Sequence, residues 1–174
     1  MQLQPLDIHI LELVAEWLGQ KENYQWLDFG CGLQRLPPAS LKIMMQRDIH
    51  LLRLFTPDAH DTPIGLVALS NIARDFHTAT LWYVLGDKNY AGQGYTRRAV
   101  SQILGVGFQD LGLQSVSAWA VELNQPSIRV LLRNGFRLVG RQRQCHRIDN
   151  NLFDRLLFDL LAYEYEETLH ASSV

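Results

Sequence analysis

Residues 81–95 of the chain read Leu81-Trp82-Tyr83-Val84-Leu85-Gly86-Asp87-Lys88-Asn89-Tyr90-Ala91-Gly92-Gln93-Gly94-Tyr95. The apolar first part predicts a strand, which runs into a turn that contains Gly92 and Gly94 and leads directly into a helix. Such a turn can direct several backbone N–H groups at one anion, and the helix start adds partial positive charge. Glycine also lets the backbone approach a pyrophosphate with no side chain in between. The stretch therefore predicts a phosphate-binding turn, with an ordinary helix start as the alternative.

The glycine spacing differs from two common nucleotide-binding patterns. No third glycine follows Gly94, and no strand–helix–strand unit precedes the turn, as a dinucleotide fold requires. A Walker loop would end in Gly-Lys-Ser/Thr, and this turn does not. One helical turn further on, Arg97 and Arg98 either reach outer phosphates or lie on a solvated helix face.

The sequence around this turn predicts one mixed α/β fold. Runs with alternating apolar residues predict strands, and apolar residues spaced three and four apart predict helices. The predicted strands are Asp48–Phe55, Pro63–Asn71, Thr78–Leu85, Ser115–Val121, Phe136–Cys145 and Asn151–Tyr163. The predicted helices are Leu6–Leu18, Ala39–Met45, Gly94–Leu111 and Pro126–Arg133. We expect the first three strands to form an antiparallel meander, so that the sheet is largely antiparallel.

A second informative stretch reads Asn124-Gln125-Pro126-Ser127-Ile128-Arg129-Val130-Leu131-Leu132-Arg133-Asn134-Gly135-Phe136. Pro126 suits the first turn of a helix, and Asn124 or Gln125 can cap that turn. Gly135 can take the left-handed conformation that ends a helix. On local grounds, Asn124 and Ser127 are therefore either capping residues or part of a binding site.

Together the two stretches resemble the GNAT superfamily of N-acetyltransferases. Gly92 and Gly94 match the small positions of the family's pyrophosphate-binding motif, Gln/Arg-x-x-Gly-x-Gly/Ala, whereas Asn89 departs from the preferred Gln or Arg. Residues 124–136 resemble the family's next motif, Asn-x-x-Ser followed by a short helix that ends in Gly-Phe. The form is most similar to the RimJ/RimL-like branch, which acetylates ribosomal-protein N-termini, and its small-molecule relatives. The resemblance covers roughly residues 48–163.

The resemblance implies one acetyltransferase domain over residues 1–174, with residues 1–46 on the acceptor side and residues 47–163 binding acetyl-CoA. It implies a sheet of about six or seven strands with about four helices, splayed in the middle so that pantetheine lies in the split. A backbone N–H near Val84 or Leu85 is expected to polarise the thioester carbonyl. The expected acetyl-CoA-binding residues are Tyr83, Val84, Leu85, Asn89, Tyr90, Ala91, Gly92, Gln93, Gly94, Tyr95, Asn124 and Ser127.

The resemblance also implies direct attack of a neutral amine on the thioester, followed by departure of a thiolate. Leu131 stands where many family members carry the Tyr that protonates this thiolate. We therefore predict that Ser127, at the start of the same helix, hydrogen-bonds the sulfur. Glu122, at the exit of the preceding strand, is the predicted base, with a solvated carboxylate as the alternative. Holding amine and thioester together is expected to supply much of the rate.

Residues 26–32, Trp26-Leu27-Asp28-Phe29-Gly30-Cys31-Gly32, resemble the acid-x-Gly-x-Gly turn of S-adenosylmethionine methyltransferases. The third glycine is missing, and Pro37-Pro38 interrupts the helix that should follow. The downstream pattern also lacks repeated strand–helix units. We therefore keep a methyltransferase as a remote alternative and predict a loop beside the acceptor pocket, in which Trp26, Asp28 and Phe29 contact substrate. Burial of the two aromatic side chains in the core is the alternative for this loop.

The composition and net charge limit the kinds of molecule that the protein is expected to bind. A chain of 174 residues with 47% hydrophobic residues can bury one core, and a net charge of -2 gives no basic excess for nucleic acid. No apolar run is long enough for a membrane span and no signal peptide is visible, so a cytoplasmic protein is expected. Cys31 and Cys145 make no zinc signature, and no metal is expected. The expected partner is an amine acceptor, a small molecule or a protein N-terminus. A homodimer is compatible with the family, and a non-catalytic acyl-CoA sensor is the second functional alternative.

Overall fold

The computed structural model describes residues 1–165, and these residues form a seven-stranded sheet with flanking helices. The strands are β1 (Leu3–Pro5), β2 (Leu51–Phe55), β3 (Gly65–Ala73), β4 (Thr78–Leu85), β5 (Ser115–Val121), β6 (Arg137–Ile148) and β7 (Asn151–Leu161). Their order across the sheet is β1-β2-β3-β4-β5-β7-β6. All neighbouring pairs are antiparallel except β4 and β5, which run parallel. The predicted mixed α/β fold with a mostly antiparallel sheet is confirmed.

The described residues also form α1 (Leu11–Gly19), α2 (Lys21–Tyr24), α3 (Pro38–Met45), α4 (Tyr95–Gly105) and α5 (Gln125–Arg133). A 3-10 turn at Ile8–Ile10 precedes α1, and a π-helical turn at Val106–Asp110 continues α4, so the predicted long helices are present with altered first or last turns. Among the described residues, no helix combines the length and the apolar character that crossing a bilayer requires.

The edge of the sheet beyond β2 differs from the sequence prediction. β1 was not predicted, because its three residues include Pro5 and its pairing partner β2 lies about fifty residues away in the chain. β2 begins at Leu51 rather than at Asp48, because the His50 N–H donates to the Arg47 carbonyl at 3.1 Å and closes a turn there. By contrast, β4 and β5 begin and end at the predicted residues.

Helices cover both faces of the sheet, and two apolar cores result. On one face, α4 buries Val100 and Ile103 against residues such as Leu81 of β4. On the other face, α1 buries Val14 and Leu18 against residues such as Val84 of β4. We call these the α4 face and the α1 face. Since alternate residues of a strand point to opposite faces, β4 is anchored from both sides.

The parallel pair β4 and β5 stays together over three residues only. Thr78–Thr80 pair with Ser115–Ser117, and beyond these residues the two strands separate. β4 remains paired with β3 as far as Leu85, and β5 remains paired with β7 as far as Val121. The sheet therefore contains a gap between residues 81–85 and 118–121 whose two edges are held by intact ladders. The predicted splay of these strands is confirmed.

Candidate active site

A cleft of about 1090 Å³ runs along this gap and is lined from both faces of the sheet. On the α4 face its walls include Tyr95 and Arg97, and on the α1 face they include Trp82 and Trp119. Two ligands bound on opposite faces can therefore meet through the gap, which is the arrangement that a group transfer between them requires.

The glycine turn forms one mouth of the cleft. Gly92 and Gly94 have φ angles of +76° and +82°, and a Cβ added at either residue would meet no atom within 4 Å. Gly94 is the N-cap of α4, so the first amides of that helix have no partner within the helix. The amides of Gly92 and Gly94 donate no hydrogen bond within residues 1–165. An open concave turn with free amides at a helix start fits the diphosphate of acetyl-CoA.

Besides Arg155, the described arginines that line the cleft are Arg97 of α4 and Arg129 and Arg133 of α5. They add positive charge to the cleft wall, which suits a ligand with phosphate groups. Arg98 does not, because its guanidinium forms two hydrogen bonds with the Asp58 carboxylate, at 2.7 and 2.9 Å. The sequence analysis named Arg97 and Arg98 but missed the other two. Their spacing of four residues, which puts both on one side of α5, was the available signal.

The β4 edge of the gap presents unused backbone groups. The Gly86 N–H donates to the Ile64 carbonyl at 2.8 Å, which fixes the alternation of the β3–β4 ladder. The N–H of Val84 is thereby directed toward β3, whereas those of Tyr83 and Leu85 are directed into the gap. Of the two amides predicted to polarise a thioester carbonyl, the geometry thus favours Leu85.

The carbonyl of Leu85 is already engaged. Lys88 donates its ammonium group to this carbonyl at 2.6 Å and also to the side-chain oxygen of Asn23. Burial lowers the pKa of Lys88, while the nearby Glu22 carboxylate raises it. Lys88 therefore ties the end of β4 to α2 and occupies the Leu85 carbonyl, which leaves the Leu85 N–H as the free backbone group of that residue.

The β5 edge shows the same pattern. The Glu122 N–H donates to the Asp154 carbonyl at 3.0 Å, so alternation along β5 directs the backbone groups of Trp119 and Val121 into the gap. Both edges thus offer main-chain donors and acceptors in a row. The amide groups of a pantetheine chain have the matching chemistry.

Ser127 and Tyr83 meet at the gap, although 44 residues separate them in the chain. The Tyr83 hydroxyl lies 2.6 Å from the Ser127 hydroxyl oxygen and 3.2 Å from the Ser127 carbonyl oxygen. Burial raises the pKa of Tyr83 far above its ordinary value, with the Ser127 hydrogen bond opposing, so the phenol stays neutral. Both residues line the cleft. The role of Ser127 at the sulfur stays a prediction. The sequence analysis expected Tyr83 to bind acetyl-CoA but did not foresee the contact of its hydroxyl with Ser127.

Glu122 lies outside the cleft lining and is fully engaged elsewhere. One carboxylate oxygen accepts the Asp154 N–H at 3.0 Å, and the other lies 3.2 Å from an Arg141 nitrogen. Arg141 is also bound to the Asp154 carboxylate at 2.8 Å. This network fastens β5 to the β6–β7 hairpin, and the geometry argues against the predicted role of Glu122 as base.

Some of the other predicted cofactor residues line the cleft, and others do not. The residues Tyr90, Ala91, Tyr95 and Asn124 line the cleft together with the two glycines. Asn89 and Gln93 lie in the same turn but are not among the described residues that line the cleft. The Gln93 side chain instead donates to the Asn89 carbonyl at 2.9 Å, and the Asn89 N–H donates to Asp87 at 3.0 Å. These two residues therefore shape the turn.

Residues 26–32 form a loop on the α1 face, and Trp26, Asp28 and Phe29 all line the cleft. The Asp28 carboxylate accepts the Gly30 and Gly32 N–H groups, at 2.8 and 3.1 Å. It also binds the Arg155 guanidinium of β7 at 2.7 Å, and each side chain is 14% exposed. Burial raises the pKa of Asp28, but these hydrogen bonds and the arginine charge outweigh burial and leave it lowered. Asp28 therefore holds the loop closed and is not free to act as a base.

The methyltransferase alternative is wrong. No strand leads into residues 26–32, and α3 begins only at Pro38, so the strand–turn–helix that the acid-x-Gly-x-Gly motif needs does not exist here.

Buried His146 supports the same loop from β6. Its Nε2 lies 2.7 Å from the Gln25 carbonyl, and its Nδ1 lies 3.0 Å from Arg155. Burial lowers the pKa of His146, although the Gln25 contact raises it. Since Arg155 can only donate, Nδ1 is the acceptor and Nε2 carries the proton toward Gln25. The neutral ring thus joins the loop to Arg155.

Residues 1–137 match the family model described as Acetyltransferase (GNAT) domain. The chain belongs to the GNAT family. The "Uncharacterized N-acetyltransferase p20" of Bacillus licheniformis is similar to this GNAT chain, with 31% identity over 105 residues, which is 60% of this chain and 58% of that protein. The matched region thus spans less than two thirds of that curated relative. The family membership agrees with the resemblance of the glycine turn and of residues 124–136.

Solved structures share the GNAT fold seen here. The spermidine N-acetyltransferase from Vibrio cholerae, in complex with CoA and spermine, superposes with a TM-score of 0.82 at 16% identity and covers 95% of this chain and 97% of its own. Mycobacterium smegmatis RimJ, in complex with CoA-disulfide, gives a TM-score of 0.78 at 18% identity and covers 98% and 88%. At such identities the likeness establishes the fold, and the predicted RimJ-like branch is consistent with it.

Proposed function

We propose that this protein is an N-acetyltransferase that uses acetyl-CoA and transfers the acetyl group to a primary amine, either a small molecule or a protein N-terminus. The observation that carries the proposal is the gap between β4 and β5, which has a glycine turn with free amides at one mouth and opens to both faces of the sheet. A binding site for one ligand needs no such passage, whereas a transfer between two ligands does.

Each part of the cleft has a role in this reaction. The amides of Gly92, Gly94 and the first turn of α4 hold the diphosphate, and Arg97 and Arg129 add positive charge. The Leu85 N–H polarises the thioester carbonyl, since its direction into the gap places it beside the bound pantetheine. Acetyl-CoA supplies the activated acetyl group and a thiol that leaves.

The hydroxyl groups of Ser127 and Tyr83 stabilise the sulfur as it departs. We assign the Tyr83 hydroxyl as the donor to the Ser127 hydroxyl oxygen at 2.6 Å, which leaves the Ser127 proton free to point at the sulfur. Both groups remain neutral and stabilise the developing thiolate by hydrogen bonding. As the C–N bond forms and the C–S bond breaks, the proton lost by the amine passes through solvent in the cleft to the sulfur, so that CoA leaves as the thiol. Positioning of the two substrates supplies the remainder of the rate.

Two measurements test this proposal and separate it from a non-catalytic acyl-CoA sensor. Calorimetry with acetyl-CoA tests binding, and detection of free CoA thiol over a panel of amines tests transfer. Binding together with amine-dependent thiol release is the expected result. Binding with no release over the whole panel would identify a sensor, and the buried Leu131 at the position of the family tyrosine would then explain it. Absence of binding heat with acetyl-CoA at millimolar concentration would refute both the acetyltransferase and the sensor.

A further inference from the structure

The acceptor end of the cleft, on the α1 face, is walled by aromatic side chains. Trp82 of β4 and Trp119 of β5 each lie two residues beyond Thr80 and Ser117, the last paired residues of the two strands. The two tryptophan residues therefore occupy equivalent positions on opposite edges of the gap, and the Trp82 indole N–H is held by the Ser70 hydroxyl of β3 at 2.8 Å. Both tryptophans are partly exposed and both line the cleft.

The loop of residues 26–32 closes this space with a third ring. Phe29 meets Trp82 edge to face, with ring centroids 5.0 Å apart and an angle of 81° between the planes. The Arg155 guanidinium lies 4.1 Å from the centroid of the Trp119 ring, and the same arginine holds the loop through Asp28. The rings are thus fixed by their neighbours. We call Phe29, Trp82 and Trp119 the indole pocket.

Negative charge is scarce around the indole pocket. Within residues 1–165, three carboxylates line the cleft, namely Glu22, Asp28 and Asp159. Asp28 is neutralised by Arg155 at 2.7 Å, and Glu22 acts on the Lys88 ammonium. Neither Glu22 nor Asp159 makes an ion pair among the described residues, but Glu22 already lies near the Lys88 ammonium, so Asp159 is the carboxylate left for an incoming cation. A molecule with several ammonium groups would leave most of them unpaired at a partly dry surface.

Resting on the proposed function, we propose that the acceptor is a small arylalkylamine, with one ammonium group and one flat aromatic ring. Flat rings make offset or edge contacts with indole and phenyl groups that saturated groups of the same size do not make. The occupant therefore differs from spermidine, which the Vibrio cholerae neighbour acetylates.

The test compares three amines with saturating acetyl-CoA: 2-phenylethylamine, 2-cyclohexylethylamine and spermidine. The first two share a carbon skeleton and a charge and differ in ring flatness. We expect kcat/KM for 2-phenylethylamine to exceed that for each of the others at least tenfold. A higher value for spermidine, for 2-cyclohexylethylamine or for a peptide that begins with alanine would overturn the assignment.

Variants of the pocket residues test whether these side chains bind the aromatic ring of the acceptor. Phe29→Leu and Trp119→Leu are expected to lower kcat/KM for 2-phenylethylamine about tenfold while the KM for acetyl-CoA stays within twofold. The matched control is Phe76→Leu, because Phe76 is 80% exposed in the β3–β4 turn and does not line the cleft. Because Trp119 also packs on Arg155, Trp119→Leu could unfold the protein, and its melting temperature shows whether it is folded. If Trp119→Leu is not folded, the result for Phe29→Leu decides the test. An unchanged kcat/KM in Phe29→Leu contradicts the pocket.

A binding measurement keeps this inference separate from the proposed function. Titration of the CoA-saturated protein with 2-phenylethylamine is expected to change tryptophan fluorescence saturably, and spermidine is not. If no amine releases CoA thiol, the acetyltransferase proposal fails. The fluorescence titration still shows whether the indole pocket binds an arylalkylamine. Absence of a saturable change with 2-phenylethylamine refutes the indole pocket even in an active enzyme.

Discussion

Replacement of Gly94 by Ala isolates the contribution of the glycine turn to CoA binding. Gly94 has a φ of +82°, and an added Cβ would point into open space at the mouth of the cleft. An L-residue in this conformation costs about 1–2 kcal/mol of stability. For a domain of this size each kcal/mol lowers Tm by about 2–4 °C, so a fall of about 2–8 °C is expected.

The effect on binding should be larger, because the methyl group occupies the space that the diphosphate needs. Separating a charged phosphate from one amide loses a hydrogen bond of about 1.5–3 kcal/mol. At about 1.4 kcal/mol per tenfold, Kd for CoA rises about 10- to 150-fold. Isothermal titration calorimetry with CoA measures this change without requiring turnover.

Gly112→Ala is the matched control. Gly112 has a φ of +65°, its added Cβ would also meet no atom within 4 Å, and it lies between α4 and β5 away from the cleft lining. It therefore carries the same kind of backbone strain and no predicted role in binding. If Gly94→Ala and Gly112→Ala bind CoA equally well, or if Gly94→Ala binds as tightly as the wild type, the phosphate cradle is not at this turn.

Three other substitutions follow from the contacts at the site. Tyr83→Phe removes the hydroxyl next to Ser127, and we expect kcat to fall about fivefold to tenfold, as for one hydrogen bond of about 1 kcal/mol, with KM for acetyl-CoA unchanged in steady-state kinetics. Glu122→Gln should leave kcat within about twofold and lower the free energy of unfolding by about 1 kcal/mol or less, since its ion pair with Arg141 is partly exposed. A fall in kcat of a hundredfold would support Glu122 as the base. Asp28 has a folded-state pKa below its unfolded value, so its stabilisation is present above the unfolded pKa and is lost as pH falls through the folded pKa. In urea unfolding, Asp28→Asn should therefore be less stable than the wild type at pH 7, and this deficit should shrink below about pH 4; a deficit that is constant with pH contradicts the role of the Arg155 ion pair.

The parts of the fold that the sequence predicted are those determined by nearby residues. β4, the glycine turn and the start of α4 follow one another without a break, and their periodicities and glycines are local signals. The splay of β4 and β5 was expected from the family resemblance, because the point at which two strands separate depends on their pairing and not on a local sequence signal.

The parts that could not be predicted depend on contacts between distant residues. Asp28 and Arg155 are 127 residues apart, and no periodicity indicates that β7 lies beneath the loop of residues 26–32. The contacts that argue against Glu122 as a base have the same origin. Its place at a strand end was read correctly, but the hairpin that brings Arg141 and Asp154 to it belongs to a later part of the chain.

Leu131 shows how a chemical group can be supplied from another element. Its side chain is 1% exposed and belongs to the core beneath α4, so it offers no donor to the cleft. The Tyr83 hydroxyl reaches the start of the same helix from β4 instead, and it meets Ser127 there. A hydroxyl pair built from two elements can act only while β4 and α5 keep their spacing, because a shift of 1 Å would break a 2.6 Å contact. The ladders that hold the edges of the gap are therefore as necessary to this site as the side chains that line it.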